Sequence, residues 1–316
     1  MVYTNYPSYL NTPSQYLLIN KNMVAPELSS RKRKNEEVAD EIDINSTDEE
    51  NQEVPEEGIE DDEQDIVNVD FDVIGVTKDP NTKMSIEQDF HSVKSLLRQV
   101  LGSDASLKLN LSKLADSILE DSLATNFIKC DGQMSDPYCF LSFVAYNTIS
   151  KNNKDLMLVL SNLGNTSLNI FLDSLKTDAS IAKKTCFVFS ERFINMPHEV
   201  VPPLYSITIG EMMENMDNVK KDEFNFYIVM SRKYEINFDN DDTLEEKEEQ
   251  DTKTKKTKHN TDFDFFHLED QFFEKNAKIQ FEGVSKKGIL PVYYVLTKEG
   301  LEKSLLEVEQ EISSWN

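Results

Sequence analysis

The chain has 316 residues, of which 33 are Lys or Arg and 58 are Asp or Glu, so its formal net charge at pH 7 is −25. This charge argues against a general nucleic-acid binder, because such proteins neutralise phosphates with Lys and Arg, and against attachment to an anionic membrane through overall charge. A basic partner, or solubility alone, fits the charge better.

Residues 1–65 are predicted to form a disordered tail outside the fold. Residues 1–34 hold five basic side chains and one acidic side chain, and show no helical or strand period. Residues 35–72 hold 18 acidic side chains and neither Lys nor Arg, and such a segment repels itself and stays disordered. Residues 1–20 have neither a basic region nor a long apolar run, so we expect no signal peptide.

Two candidate sites lie in this tail. A compact basic run predicts a nuclear import signal, with an accidental charge run as the alternative. The acidic tract that follows is a candidate surface for a basic client, because clustered carboxylates engage Lys and Arg. A simple solubility tail is the equal alternative for the tract. The import residues are Arg31, Lys32, Arg33 and Lys34, and the acidic candidates are Glu36, Glu37, Asp48, Glu49, Glu50, Glu60, Asp61, Asp62 and Glu63.

Apolar periodicity predicts alternating strands and helices from residue 66 onward. Ser85 and Gln88 fit a capping box at the start of the first helix, and Gly102 is placed to end it. The predicted strands are Val67–Val76, Asn126–Cys130, Tyr138–Asn147, Thr185–Ser190 and Phe224–Tyr234, and the predicted helices are Ser85–Leu101, Leu111–Leu123, Thr166–Leu175 and Pro202–Met216.

Residues 237–261 are predicted to be a disordered charged insertion, because they run from acidic to basic without an apolar pattern. Residues 262–316 are too few to build a core alone, so both sides of the insertion are expected in one sheet. We therefore predict a single α/β domain over 66–316, with a mixed sheet flanked by helices. The last predicted elements are helix Leu268–Asn276, strands Ala277–Phe281 and Ile289–Leu296, and helix Lys298–Ser313.

The common signatures of nucleotide-binding and hydrolytic enzymes are missing. None of the nine glycines is two residues from another, and neither G-x-x-x-x-G-K-[ST] nor G-x-S-x-G occurs. Phosphate cradles need glycine because the backbone must approach the anion. The three cysteines form no C-x-x-C pair, which fits a reducing compartment. We expect no cofactor.

Two combinations of side chains could still carry chemistry. His267, Glu269 and Asp270 could form a metal or acid–base site, although acidic residues are also typical of the first turn of a helix. Cys186 and His198 could form a thiol dyad, with a buried strand thiol and an unrelated loop imidazole as the alternative.

Four segments of the chain are distinctive when they are taken together and in this order. The most specific is ERFINMP at Glu191–Pro197, and the other three are Asp89–Gln99, Val201–Tyr205 and FHLED at Phe266–Asp270. This set resembles the BCCIP family, and within it the fungal Bcp-type members, over about 67 to 282.

This resemblance implies a non-enzymatic nuclear protein that shuttles to the cytoplasm. Its fold would be similar to the GNAT acetyltransferases without a functional acetyl-CoA site. Its partners would be a basic ribosomal protein of the large subunit, of the universal L-fourteen class, and nuclear transport factors, in support of 60S subunit production and nuclear export. We expect no direct contact with nucleic acid or membrane, and a monomer outside its complexes.

Alternatives remain open for the motif and for the function. ERFINMP is predicted to form a turn in which Pro197 fixes the backbone after a strand, with a binding site as the alternative. Arg192 could pair with a buried acid or meet a partner. A histone-type acidic chaperone and a GNAT-like acyltransferase are the rival functions. The motif residues singled out are Glu191, Arg192, Asn195, Met196, Pro197, His267, Glu269 and Asp270.

Overall fold

A computed structural model of the chain describes residues 16–17, 70–76, 83–215, 224–236 and 262–315. The strands are β1 (Tyr16–Leu17), β2 (Phe71–Gly75), β3 (Ala124–Lys129), β4 (Cys139–Ala145), β5 (Thr185–Arg192), β6 (Phe226–Ile236), β7 (Asp262–Phe265), β8 (Ile279–Glu282) and β9 (Ile289–Thr297). The helices are α1 (Lys83–Lys108), α2 (Leu111–Glu120), α3 (Tyr146–Asn152), α4 (Lys154–Ser161), α5 (Thr166–Thr177), α6 (Ala179–Lys183), α7 (Val201–Asn215), α8 (Leu268–Asn276) and α9 (Lys298–Ser313), with a 3-10 helix at His198–Val200.

The strands form one open mixed sheet in the order β1-β2-β3-β4-β5-β6-β9-β8, with β7 paired to β6. The β5–β6 pair is parallel and the other pairs are antiparallel. Strand β6 lies before the charged insertion and pairs with β9, which lies after it. The predicted mixed α/β sheet, shared by both sides of the insertion, is therefore confirmed.

The sheet contains a fork between β5 and β6. Their parallel pairing runs from Thr185 with Phe226 to Val188 with Val229 and stops there. Beyond this point β5 continues alongside β4, while the far end of β6 pairs with β7, in a register that sets Ile236 opposite Asp262.

Helices cover both faces of the central strands, and the apolar spacing explains why. In α2, Leu114, Ala115 and Ile118 fall on one buried face, and the side chain of Asn110 caps the helix by accepting from the Lys113 amide. The cap satisfies one first-turn donor, and the packing removes the apolar stripe from water. One core fills the sheet face that carries Phe187, Phe189 and Ile228 beneath α1 and α2.

Several predicted boundaries are wrong for local physical reasons. Helix α1 begins at Lys83, so Ser85 lies inside the helix and not at its N-cap position. Gly102 has non-helical dihedral angles (φ +77°) and interrupts α1 at a kink, so the predicted end of the first helical segment at this glycine is confirmed. Strand β4 ends at Ala145 because Tyr146 already opens α3. The sequence did not predict the short elements β1, β7, α3, α4 and α6.

Some predictions concern residues that the structure does not describe. Residues 67–69 and the insertion 237–261 lie outside the described residues. Among the residues that are described, no helix is both long and apolar enough to cross a membrane.

Candidate functional site

A buried charge cluster occupies the fork between β5 and β6. Strand β5 ends in adjacent charged residues that point to opposite faces of the sheet, and the segment that links β7 to α8 supplies partners on both faces. Each of these residues is at most 8% exposed. The cluster consists of Glu191, Arg192, Arg232, His267, Glu269 and Asp270.

Glu191 is the centre of one side of the cluster. Arg232 donates to its two carboxylate oxygens over 3.1 and 3.2 Å, and Nε2 of His267 lies 2.7 Å from Oε1. The Arg232 guanidinium also lies 4.0 Å from the centroid of the Phe266 ring. Burial raises the pKa of Glu191, but the hydrogen bonds with His267 and Arg232 outweigh burial and hold that pKa below its ordinary value. Glu191 is therefore ionised, and both of its carboxylate oxygens have hydrogen-bond partners.

Arg192 is the centre of the other side. Its Nη1 donates to Oε1 of Glu269, and its Nη2 lies 3.1 Å from Nδ1 of His198. Burial raises the pKa of Glu269, but the charges of Arg192 and His267 outweigh it, so the pKa is lowered. Sequence reasoning left two roles open for Arg192, a pair with a buried acid or a contact with a partner protein, and in the structure Arg192 pairs with the buried Glu269.

Asp270 differs from the other two carboxylates of the cluster. It has no guanidinium partner, and its hydrogen bond comes from the hydroxyl of Ser231 on β6. Burial and the adjacent negative charge of Glu269 raise the pKa of Asp270 to about 7. The cluster thus holds two ionised carboxylates and one that exchanges its proton near neutral pH.

The cluster holds the fork together through buried ion pairs and hydrogen bonds. Glu269 and Asp270 lie in the first turn of α8, as the helix-start interpretation requires, and both are buried. Within the described part of the chain, no His, Cys, Asp and Glu side chains gather into a group that could hold a metal ion. Cys186 is fully buried, and burial raises the pKa of its thiol well above the ordinary value, which opposes a thiolate.

The ERFINMP segment divides into a buried half and an exposed half. After Glu191 and Arg192, the chain turns through Phe193–Met196, where the Met196 amide donates to the Phe193 carbonyl. Met196 is buried, whereas Asn195 is exposed and Ile194 is 68% exposed. The predicted turn is present, and Pro197 leads directly into the 3-10 helix.

The exposed half of this segment belongs to an apolar patch. The rings of Phe193 and Tyr138 pack edge to face with centroids 5.8 Å apart, and Ile194 lies beside them in the chain. Met134, which is 49% exposed, lies in the turn that leads to Tyr138, between Asp131 and Asp136. We define the apolar patch as Met134, Tyr138, Phe193 and Ile194. Patches of this kind, with polar neighbours, are typical of protein interaction surfaces.

A buried lysine holds the turn that carries Met134. Nζ of Lys129, at the end of β3, donates to Asp89 of α1 over 2.6 Å and to the Gln133 carbonyl over 2.8 Å. Its side chain is fully buried. Burial raises the pKa of Asp89 even though Lys129 opposes the shift. The pair fixes the β3–β4 turn against α1 and so positions one edge of the apolar patch.

Sequence reasoning found only part of this arrangement. It singled out Glu191, Arg192, His267, Glu269 and Asp270, and the structure brings these five together. It missed Arg232 and Lys129, which look like ordinary strand-edge charges until their partners across the fold are known. The import run at 31–34 and all nine acidic candidates between 36 and 63 lie outside the described residues.

Comparisons with known proteins agree with one another. The BCCIP family model matches residues 66–273. Protein BCP1 of Candida glabrata is 44% identical over 295 residues, which cover 92% of this chain and 97% of that protein. Protein BCP1 of Saccharomyces cerevisiae is 44% identical over 256 residues, or 79% and 83% of the two chains. The crystal structure of the Saccharomyces cerevisiae protein superposes with a TM-score of 0.61 and 40% identity, over 81% of this chain and 96% of that one.

Proposed function

The chain belongs to the BCCIP family, and on this premise we propose that it is a non-enzymatic nuclear chaperone and transport adaptor. Its client would be a basic ribosomal protein of the large subunit, of the universal L-fourteen class. By shielding this client it would support 60S subunit production and the nuclear export of cargo. The observation that carries the proposal is an exposed apolar patch with carboxylates in the same turn, on a chain of net charge −25.

The two features suit the two halves of the task. A free ribosomal protein is a cation shaped to sit on RNA, so it needs a competing anionic partner. Carboxylates alone do not discriminate between cations, whereas an apolar patch can match the apolar surface that a client buries in the ribosome. The patch would supply specificity, and the 18 acidic residues of 35–72 would supply attraction.

The buried charge cluster supports the absence of catalysis in this proposal. Acid–base catalysis needs a titrating group that reaches a substrate. The charged groups at the fork are instead buried and pair with one another. Burial also raises the pKa of neighbouring Cys139 to about 12. We include the GNAT-like fold in the proposal, with the fork filled by the chain's own side chains rather than by acetyl-CoA.

We also propose that Arg31–Lys34 direct nuclear import, and that the protein is a monomer that shuttles with transport factors when loaded. A compact run of Lys and Arg is the type of sequence that nuclear import receptors recognise. Export would then follow from the loaded state rather than from a membrane or nucleic-acid contact.

The test compares two substitutions with matched exposure. Ile194 in the apolar patch and Ile170 on α5 are both 68% exposed. Ile194→Ser should weaken binding of the purified ribosomal protein about tenfold, since an isoleucine buried at an interface is worth roughly 1.5–3 kcal/mol. Ile170→Ser should leave binding unchanged. Titration calorimetry with each variant measures both effects, and thermal unfolding checks that both variants fold.

Three results would contradict the proposal. Equal binding of both variants would remove the patch from the interface. Tighter binding of histones than of any large-subunit ribosomal protein would favour a histone chaperone. Binding of acetyl-CoA in the same calorimeter would favour an acyltransferase.

A further inference from the structure

A cleft lies on the same sheet face as the main core, between helices and a hairpin. Its walls are the last turns of α1, the end of α4 and the hairpin that joins β8 to β9. The cleft encloses about 460 Å³, which falls within the usual range for specific ligand sites. It is separate from the apolar patch, with which it shares no residue.

The charge of this cleft is opposite to that of the chain. Five basic residues line it, namely Arg98, Lys108, Arg232, Lys286 and Lys287, and none of its described lining residues is acidic. Arg98, Lys108, Lys286 and Lys287 are exposed and form the rim, whereas Arg232 is buried and donates to Glu191. On a chain with 58 acidic and 33 basic residues, a concave surface whose charged lining residues are all basic creates a local positive potential that walls of low dielectric constant strengthen.

The floor of the cleft is apolar. Leu101, Leu163, Val159, Ile289 and Pro291 contribute to it. On the hairpin wall, the aliphatic side chain of Val284 is 74% exposed to solvent, and it extends the apolar surface of the cleft. The cleft therefore combines an apolar base with a cationic rim.

The hairpin presents a lysine at a conformationally unfavourable position. Lys287 has φ +51° and Gly288 has φ +73°, the left-handed conformation that two-residue hairpin turns require. Asn or Asp is favoured at the first of these positions, and Lys is not. A positive charge at the rim is thus retained at a conformational cost.

We propose that this cleft binds an acidic segment of a partner protein in which carboxylates alternate with apolar side chains. The apolar side chains would enter the floor, and the carboxylates would meet the four rim cations. Bare phosphate would not use the apolar floor. Single-stranded RNA would need an exposed aromatic platform, but Tyr293 of the lining is 3% exposed and its ring stacks on Phe281 with centroids 5.0 Å apart.

This partner is distinct from the proposed client. The client is basic and would avoid a cationic rim, while an acidic partner would avoid the rest of the surface. The cleft lets one chain hold two partners of opposite charge, and this inference stands whether or not the client is a ribosomal protein.

The test uses the full chain and defined probes. Fluorescence anisotropy would follow a short labelled peptide of alternating Glu and Leu, with an all-Glu peptide, a uridine homopolymer and inorganic phosphate as competitors. We expect the alternating peptide to bind and the competitors to displace it poorly. The double substitution Lys286→Gln with Lys287→Asn should weaken binding about five- to tenfold.

The controls separate loss of the site from loss of charge or fold. Asn suits the turn position of Lys287, so the double variant should keep its melting temperature. Lys113→Gln with Lys183→Gln removes two exposed charges outside the cleft and should not change affinity. Equal binding of the all-Glu peptide, binding of RNA or phosphate only, or no binding at all would overturn the proposal. Binding that appears only after the acids of 35–65 are neutralised would assign the cleft to the chain's own tract and would also overturn it.

Discussion

At the scale of single residues, Asp270 makes the stability of the fold depend on pH. Its pKa is raised from 3.8 to about 7 by burial and by the charge of Glu269. Between these two pH values the folded protein keeps a proton on Asp270 that the unfolded chain has released. The contribution of Asp270 to stability is therefore complete below about pH 4 and is lost as the pH rises through 7. Glu191 and Glu269, whose pKa values are lowered, act in the opposite direction and lose their contributions in acid.

Asp270→Asn should remove this dependence. The variant keeps an acceptor for the Ser231 hydroxyl but cannot ionise. Its free energy of unfolding, relative to the natural protein, should rise from pH 4 to pH 7 and then level off. The gain should be on the order of a few kcal/mol, since one pKa unit corresponds to about 1.4 kcal/mol. Urea unfolding at a series of pH values measures the difference.

A surface aspartate provides the matched control for this experiment. Asp173 pairs with Lys176 in α5, and its side chain is 70% exposed. Asp173→Asn should shift stability by less than about 1 kcal/mol at every pH. If the Asp270→Asn and natural curves ran parallel from pH 4 to 7, Asp270 would not hold its proton in the folded state.

At the scale of elements, two glycines in helices should respond to the same change with opposite signs. Gly300 lies in the first turn of α9, where an added Cβ would lie 2.9 Å from the Asn276 carbonyl oxygen at the end of α8. Gly210 lies inside α7, and an added Cβ would meet nothing within 4 Å. Gly300 permits close packing between α8 and α9. Gly210 makes no close contact and only lowers the stability of α7.

Gly300→Ala should destabilise the protein by roughly 1–3 kcal/mol, because backbone must move to admit the methyl group. Gly210→Ala should stabilise it by roughly 0.5–1 kcal/mol, because alanine is the better helix former. Chemical unfolding of both variants gives the comparison. A loss at both positions would mean that α7 is constrained by a contact on the Gly210 face.

Elements with a clear apolar period could be predicted, and short or edge elements could not. Strand β5 and helix α9 follow from sequence because their apolar spacing is continuous. Strand β7 carries alternating Asp and Phe, and it becomes a strand only because the far end of β6 offers it a pairing edge. The charge cluster was foreseen as a set of notable residues. Its geometry was not, since Glu191 and Arg232 meet only through the register of β5 and β6, which no local pattern encodes.

At the scale of the whole molecule, charge and apolar contact are placed in different parts of the chain. Residues 35–72 contain 18 acidic residues and no Lys or Arg, whereas the apolar patch lies on the folded sheet. Long-range attraction governs how fast partners meet, and desolvated contacts govern how long they stay together. The two regions should therefore control different rate constants for the basic client.

Replacing the acids of residues 35–65 by Asn and Gln should slow client association about tenfold or more at low ionic strength and leave dissociation nearly unchanged. Ile194→Ser should do the reverse. Surface plasmon resonance at low and at physiological salt measures both rate constants. Faster dissociation of the neutralised variant at all salt concentrations would instead place the acidic residues inside the tight interface.

The pairing of β6 with β7 makes the 237–261 segment a suitable site for insertions and replacements. Ile236 and Asp262 are register partners across an antiparallel pair, so the two ends of the intervening 237–261 segment stand only about 5 Å apart. Loop closure depends weakly on length, and both anchors are already held by β6 pairing. A small reporter domain with adjacent termini could therefore be inserted between β6 and β7, or the segment could be replaced by a tight Asn-Gly turn. Neither change would require the sheet to rearrange.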